Sequence, residues 1–286
     1  MYHVIAIVTV VIWGTTFIST KVLINIGLTP TEIFFFRFVM AYVCIWFVSP
    51  KRIFANNVRD ELMFVLLGLT GGSLYFMAEN TALGITFASN VSLILCTTPL
   101  LTAFLTFLFY KKEKSLNKNF IIGSCIAILG VALVVYNGSF VLKVSPLGDF
   151  LTFIAAITWA FYSVILVRLG KTYTSSFITR KVFFYGIVTL IPFLPFYPIM
   201  FDWNIISTPV VMFNLLFLGV IASMLCFLSW NIAVKKIGTI QTSNYLYLVP
   251  FVTMIASSVI LDEHITTIAI IGSIFILLGV YFGEKK

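Results

Sequence analysis

The chain has 286 residues, of which 60% are hydrophobic, 16% aromatic and only 10% charged, and its mean hydropathy is +1.09. A soluble domain carries about 25% charged residues, so this composition excludes a soluble globular protein and predicts an integral membrane protein. The net charge of +8 comes from short basic clusters between apolar runs. That pattern is typical of membrane orientation and not of a nucleic-acid-binding surface.

Apolar segments follow one another along the whole chain, and a membrane-spanning helix needs about 20 such residues. Ten segments qualify, and the first has neither the basic leader nor the cleavage site of a signal peptide. Segments such as FIIGSCIAILGVALVVY are apolar on every face, which favours helices over barrel strands. We therefore predict an all-α integral membrane protein with ten transmembrane helices, at 4–24, 31–49, 62–83, 88–110, 119–137, 148–168, 177–200, 210–231, 240–261 and 267–283.

Basic residues are distributed unevenly between the two sides of this predicted bundle. Of the 18 Lys and Arg residues, Lys21 and Lys143 fall on one side, Arg37 falls inside span two, and all the others fall on the side of the termini. Cytoplasmic loops carry an excess of Lys and Arg. We therefore expect both termini in the cytoplasm, and the short loops favour a multi-pass protein of a bacterial inner membrane.

Two stretches of the chain resemble one another closely enough to indicate an internal repeat. NTALGITFASNVSLILCTTP at 80–99 and NIAVKKIGTIQTSNYLYLVP at 231–250 share their first, third and twentieth residues, and GSCIAILGV at 123–131 matches GSIFILLGV at 272–280 at five of nine positions. We predict two homologous five-helix halves, 1–140 and 141–286. Because five is odd, the second half enters the membrane inverted, as in many secondary transporters with a substrate site between the halves.

Several of these motifs resemble the EamA-type transporters of the drug/metabolite transporter superfamily. They are WGTTFISTK at 13–21, the TPL around Pro99, Glu113 after span four with Glu263 at the matching place, and the closing GSxxxxLGV motif. The resemblance covers the whole chain. It implies a ten-helix, inverted-repeat carrier of small organic solutes, often an exporter, and it names no particular substrate.

Prolines in the middle of spans four and nine are candidates for a hinge or for a cavity lined by backbone. Pro99 and Pro250 each remove one helical hydrogen bond and clash with the carbonyl four residues earlier, here at Leu95 and Leu246. In a membrane, that carbonyl must find a partner in protein, water or ligand. A static kink is the alternative interpretation.

Polar side chains precede each proline at helical spacing and are candidates for substrate binding. The alternative is that they only join helices by hydrogen bonds. These candidates are Ser89, Ser92, Gln241, Asn244 and Tyr245.

Trp13 and Trp159 occupy matching places in the first span of each half. They lie about ten residues into the span, deeper than interfacial tryptophans. We expect them either in an apolar cavity wall, as substrate-binding residues, or in the packed core. The aromatic and neutral polar candidates together favour an amphipathic solute such as an amino acid.

A carboxylate inside span three, Glu79, is followed by Asn80 and is costly to place in a membrane. Ionisable groups inside spans usually pair or face a water-filled path, and Arg37 in span two, with Lys21 and Glu32, is expected nearby. One interpretation is a Glu79–Arg37 ion pair that closes the outer side. The other is that Glu79 carries a coupling proton or contacts a cationic substrate. Arg37, Glu79 and Asn80 join the two prolines as coupling or gating candidates.

The sequence contains no GxxxxGK[ST], HExxH or GxSxG motif, so an enzyme is not expected. We predict a secondary transporter, and specifically an exporter, of small organic metabolites such as amino acids, working by alternating access without a cofactor or metal. Its expected partners are the small-molecule substrate and the lipid bilayer, with protons as a candidate coupling ion, in a monomer or weak homodimer. The alternative function is a membrane receptor or accessory protein without transport turnover.

Overall fold

The computed structural model describes residues 1–50, 53–86, 88–110, 118–136, 145–200, 202–261 and 266–284, and in these ranges it contains helices and no β-strand. The helices of the first half are α1 (Tyr2–Ile26), α2 (Pro30–Val48), α3 (Val58–Ile85), α4 (Ala88–Leu95), α5 (Thr98–Phe109) and α6 (Lys118–Tyr136). Those of the second half are α7 (Pro146–Thr172), α8 (Ser175–Leu190), α9 (Trp203–Ile206), α10 (Pro209–Ile237), α11 (Thr239–Asn244), α12 (Val249–Leu261) and α13 (Thr267–Glu284).

Among the residues that the structure describes, six helices are long and apolar enough to cross a membrane by length and composition, namely α1, α2, α3, α7, α8 with its following 3₁₀ turn, and α10. The chain is therefore an all-helical, multi-pass membrane protein, while the count of ten spans and the side of the termini stay predictions. The basic residues at 51, 52, 111, 112, 114, 143, 285 and 286 lie outside the described residues, as do Glu113 and Glu263.

Predicted spans four and nine are interrupted helices. α4 ends at Leu95 and α5 begins at Thr98, with Pro99 in its first turn. In span nine, a 3₁₀ turn over Tyr245–Leu248 separates α11 from α12, and Pro250 lies in the first turn of α12. Each interruption lies where a proline cannot donate the helical hydrogen bond.

The helix of predicted span seven ends before the apolar segment does. α8 ends at Leu190, a 3₁₀ turn follows over Ile191–Phe193, and residues 194–200 lie outside the helices. Three prolines between 192 and 198 stop the helix, since each lacks an N–H group and disfavours helical geometry in the residue before it. The predicted end of this span at residue 200 was therefore wrong.

The two GSxxxxLGV motifs pack against each other, one on α6 and one on α13. A Cβ atom added to Gly123 would lie 2.5 Å from the carbonyl oxygen of Gly279, and one added to Gly130 would lie 2.5 Å from that of Gly272. Small residues allow helix backbones to approach this closely in membranes. The motif that indicated the repeat thus forms an antiparallel helix–helix interface.

Candidate functional site

A cavity of about 600 Å³, counting the space open to solvent, lies between the two halves of the chain. An apolar cavity with a few convergent polar groups is the usual form of a small-molecule site. It is lined by Trp13, Thr16, Phe17, Arg37, Tyr75, Phe76, Glu79, Ser92, Leu95, Cys96, Thr98, Trp159, Phe227, Leu246 and Val249.

Aromatic rings form one wall of this cavity. Trp13 and Trp159 meet edge to face with ring centroids 5.3 Å apart, and the ring of Tyr75 lies 5.0 Å from that of Trp159. Trp13 Nε1 also donates a hydrogen bond of 2.9 Å to the carbonyl oxygen of Ala222 on α10. The two tryptophans selected from the sequence therefore lie together, as part of the packed core and of the cavity wall.

The carbonyl that accepts this bond belongs to an irregular part of α10. Phe217–Leu225 of α10 is π-helical, and α3 is kinked within Leu69–Ser73, where Gly72 has non-helical backbone angles. Aligning Asn80 with Asn231 places the two segments at matching positions of the repeat. π-Helical segments are frequent at functional sites, and the one in α10 contains Ala222, whose carbonyl oxygen accepts the bond from Trp13.

Two buried charged side chains line the cavity from neighbouring helices. Arg37 on α2 is 3% exposed, its Nε donates to Ser223 Oγ at 2.9 Å, and its guanidinium carbon lies 4.2 Å from the ring centre of Phe76. Glu79 on α3 is 6% exposed, and its Oε1 accepts a bond of 2.9 Å from the Tyr75 hydroxyl.

Both charged groups keep hydrogen-bonding atoms that no described residue binds. Within the described ranges, the two terminal nitrogens of Arg37 and the second carboxylate oxygen of Glu79 have no hydrogen-bond partner, and no ion pair within 4 Å joins the two groups. The direct Glu79–Arg37 ion pair considered from the sequence is thus absent from this conformation, because each group bonds a neutral neighbour instead.

The other two charges expected beside Glu79 lie at helix ends. Lys21 Nζ donates to the carbonyl oxygen of Leu83 near the end of α3. Glu32 completes a capping box with Thr29 at the start of α2 and accepts a bond of 2.8 Å from the Met200 amide. Helix ends offer unpaired backbone groups that bind such side chains. Within the described residues, Lys21 and Glu32 therefore bind helix ends and form no ion pair with Glu79.

Both helix interruptions border the cavity. Leu95 and Leu246 line the cavity. Their carbonyl oxygens have no helical N–H donor, because the residues four positions later are Pro99 and Pro250. The two prolines are themselves buried in the first turns of α5 and α12. Backbone irregularities from the two halves therefore meet at one cavity.

Ser92 on α4 is buried and lines the cavity, as its selection anticipated. Ser89 lies on the same helix, but its side chain is outside what the structure describes.

The candidates from span nine lie away from the cavity. Asn244 donates a bond of 3.1 Å to the Val280 carbonyl on α13, and the Tyr245 hydroxyl bonds His3 Nδ1 at 2.6 Å. Gln241 folds back over Gly238. The 3₁₀ turn that follows changes the angle between successive side chains, so another face of the segment reaches the cavity. The prediction that Gln241, Asn244 and Tyr245 line the cavity was therefore wrong.

Asn80 joins two helices and does not line the cavity. Its Nδ2 donates a bond of 3.3 Å to the Pro30 carbonyl at the start of α2. The matching Asn231 accepts a bond of 2.6 Å from the Tyr162 hydroxyl and donates one of 2.9 Å to Thr179 Oγ1 on α8. Both repeat asparagines therefore bond a neighbouring helix.

Sequence reasoning missed four lining aromatic residues, Phe17, Tyr75, Phe76 and Phe227. Two signals were present. Tyr75 lies four residues before Glu79, on the same helical face. Phe76 and Phe227 share one position of the repeat when Asn80 is aligned with Asn231.

Comparison with known proteins decides the family. The EamA-like transporter family matches residues 1–136 and again residues 146–282. The chain belongs to the EamA-like transporter family. It is therefore a membrane transporter and not an enzyme, and its partners are a small-molecule substrate and lipid.

Relatives of this EamA-like transporter span nearly its whole length. The "Uncharacterized transporter YyaM" of Bacillus subtilis (strain 168) is 30% identical over 262 residues, 86% of this chain and 80% of that protein. A "Probable amino-acid metabolite efflux pump" of Escherichia coli (strain K12) is 24% identical over 286 residues, 97% and 93% of the two chains. A crystal structure with 15% sequence identity matches at a TM-score of 0.76 over 99% of this chain and 97% of the other, which shows the shared fold.

Proposed function

We propose that this EamA-like transporter is a secondary transporter that exports small organic metabolites such as amino acids or related compounds. The observation that carries the proposal is the pairing of cavity residues across the repeat. Four pairs line the cavity from both halves: Trp13 and Trp159, Phe76 and Phe227, Leu95 and Leu246, and Thr98 and Val249. A site built by both repeats is the arrangement through which such transporters work.

The same pairing supports a ten-helix topology of two inverted five-helix repeats, 1–140 and 141–286, with both termini in the cytoplasm of a bacterial inner membrane. The two segments that match the family lie within these halves. Fusions to the C-terminus test it: we expect fluorescence from green fluorescent protein and no activity from alkaline phosphatase, which folds only outside the cytoplasm. An active phosphatase fusion would contradict the topology.

Contacts between the halves at both ends of the bundle support alternating access. On the predicted cytoplasmic side, Glu61 on α3 accepts bonds from Lys181 and Tyr185 on α8. On the opposite side, Glu32 accepts the bond from the Met200 amide. Opening the cavity to one side requires the contacts on that side to break while those on the other side hold.

The amino-acid class rests on two supports. The cavity combines aromatic rings with a few polar groups, which suits an amphipathic solute. The relative from Escherichia coli is named as an amino-acid metabolite efflux pump. Transport without a nucleotide-binding motif in this chain must use a solute or ion gradient.

Transport by the full-length protein in liposomes tests the proposal. Uptake of a pool of labelled amino acids, nucleosides, organic acids and amines is measured with and without a pH gradient. We expect saturable uptake of the amino-acid class, whereas the same protein unfolded by heat before reconstitution serves as the blank. No saturable flux of any pool by protein shown to be folded would contradict a transporter of these solutes and favour the receptor alternative.

Protons are the coupling ion that we propose for this cycle, and Glu79 is the buried carboxylate in the cavity that would carry them. Glu79→Gln keeps the size of the side chain and removes its titration. We expect this variant to lose the stimulation of uptake by a pH gradient. Normal uptake with unchanged gradient dependence would contradict proton coupling through Glu79.

A further inference from the structure

The lining of the cavity contains one cationic side chain, Arg37, and one anionic side chain, Glu79, among the described residues. Both are more than nine-tenths buried, and both keep hydrogen-bonding atoms without a protein partner. Burying a charge without compensation is costly, and ions inside a protein are therefore paired or hydrogen-bonded. The cavity thus offers an occupant two opposite charges that attract each other without forming a direct ion pair, and each keeps hydrogen-bonding atoms for a ligand.

The charge of the occupant follows from this arrangement. A monovalent anion would satisfy Arg37 and leave Glu79 without an ion partner, and a monovalent cation would do the reverse. A neutral molecule would satisfy neither charge. A solute that carries both charges compensates both residues at once, and the combined site stays electrically neutral.

We propose that the cavity selects a zwitterion, with the carboxylate of the solute on Arg37 and its ammonium group on Glu79. This inference rests on the proposed function and narrows its substrate class to α-amino acids in which neither charged group is blocked. The planar guanidinium forms paired hydrogen bonds with a carboxylate, and Ser223 and the Phe76 ring already hold it in place.

The side of Glu79 suits an ammonium group for a second reason. The Tyr75 hydroxyl fixes the carboxylate, and Tyr75 itself packs 5.0 Å from Trp159, which packs 5.3 Å from Trp13. Aromatic faces attract cations most strongly where water is excluded. The remaining lining includes Phe17, Leu95, Leu246 and Val249, which favour an apolar amino-acid side chain.

Competition with labelled L-leucine and L-phenylalanine uptake in liposomes tests the assignment, because competitors need not cross the bilayer. For each amino acid, the unlabelled competitors are the amino acid, the amine that lacks its carboxylate, and the acid that lacks its amino group. We expect the amine and the acid to compete about 10- to 100-fold more weakly, since each loses one charge-assisted contact.

Two variants separate the charge sites. In Arg37→Gln, the amino acid should lose its advantage over the amine while keeping its advantage over the acid. In Glu79→Gln, it should lose its advantage over the acid while keeping its advantage over the amine. This crossed pattern is a readout that a merely structural role of either residue does not produce.

The chain offers matched controls for both variants. Glu32 is 6% exposed, like Glu79, and Arg180 is 2% exposed, close to Arg37, but neither lines the cavity. Glu32→Gln and Arg180→Gln should change uptake in equal proportion for all competitors. Variants are compared only after gel filtration and thermal unfolding show that they are folded, and Arg37→Lys and Glu79→Asp provide versions that keep the charge.

Failure of this inference is distinguishable from failure of the proposed function. Saturable uptake of another solute class, with no competition by either amino acid, would overturn the zwitterion assignment and leave a transporter. Equal competition by amino acid, amine and acid would overturn it as well. Glu79→Gln that loses gradient dependence but keeps the wild-type order of competitors would assign Glu79 to the proton alone and overturn its contact with the ammonium group.

Discussion

The glycine interface between α6 and α13 gives the sharpest stability prediction. A Cβ atom at Gly130 would lie 2.5 Å from the Gly272 carbonyl oxygen and 2.6 Å from the Ile276 amide nitrogen. An ordinary Cβ contact is about 3.4 Å or more, so Gly130→Ala forces the helices apart by about 0.9 Å. Because the colliding atoms belong to the backbone, no side-chain rotation relieves the contact.

The expected cost is the difference between two effects. Overpacking costs about 1–3 kcal/mol, whereas Ala stabilises a helix interior by about 1 kcal/mol relative to Gly. We therefore expect Gly130→Ala to lower the free energy of unfolding by up to about 2 kcal/mol.

Gly170→Ala in α7 is the matched control, because a Cβ atom there meets nothing within 4 Å. It should gain about 0.5–1 kcal/mol from helix propensity alone. The assay is unfolding of both variants and the wild type in the same mixed micelles, with the same denaturant and probe. Equal or greater stability of Gly130→Ala relative to Gly170→Ala would refute the assigned role of this interface.

Three further predictions concern the repeat asparagines, the aromatic wall and the predicted cytoplasmic closure. Asn231→Ala should destabilise the protein by about 1–4 kcal/mol, because it removes two buried hydrogen bonds. Asn80→Ala removes one hydrogen bond of 3.3 Å and should destabilise the protein by less than half as much, which unfolding of both variants in micelles measures. Trp13→Phe keeps a ring but loses the bond to α10, so the uptake rate should fall several-fold while the unfolding temperature changes little. Glu61→Gln weakens the hydrogen bonds that join α3 to α8. Cys96 in the cavity should then react faster with a membrane-impermeant maleimide added from the cytoplasmic side, with Cys96→Ser as the blank. An unchanged reaction rate would contradict this closure.

Much of the scaffold could be predicted from the sequence because it depends on composition and local chemistry. Long apolar runs predicted helices, and the prolines at 99 and 250 marked the places where helices break. The depth of Trp13 and Trp159 within their spans indicated either the packed core or a cavity wall, and both rings belong to both. Each of these structural features is determined by residues within the same helical turn or the same span.

The partners of the polar residues could not be predicted in the same way. Tyr245 was assigned to the cavity on the assumption of a continuous helix, and the 3₁₀ turn that starts at this residue invalidates that assumption. A Glu79–Arg37 ion pair is one of the two interpretations that the sequence allows, yet Arg37 Nε bonds Ser223, which lies 186 residues further along the chain. No periodicity of the sequence encodes such a contact, because it depends on how helices of the two halves are arranged.

The repeat explains why the cavity has two unlike ends. Its apolar lining follows the repeat, as Phe76 and Phe227 or Leu95 and Leu246 show, whereas both of its described charges come from the first half. At the position that matches Glu79, the second half has Trp230, whose ring packs 5.0 Å from Trp13. A fully symmetric cavity would hold a solute equally well in two opposite orientations. An indole in place of the second carboxylate removes the second orientation. In the alternating-access cycle that we propose, a solute held by the charges of the first half would therefore keep its direction while the halves exchange conformations.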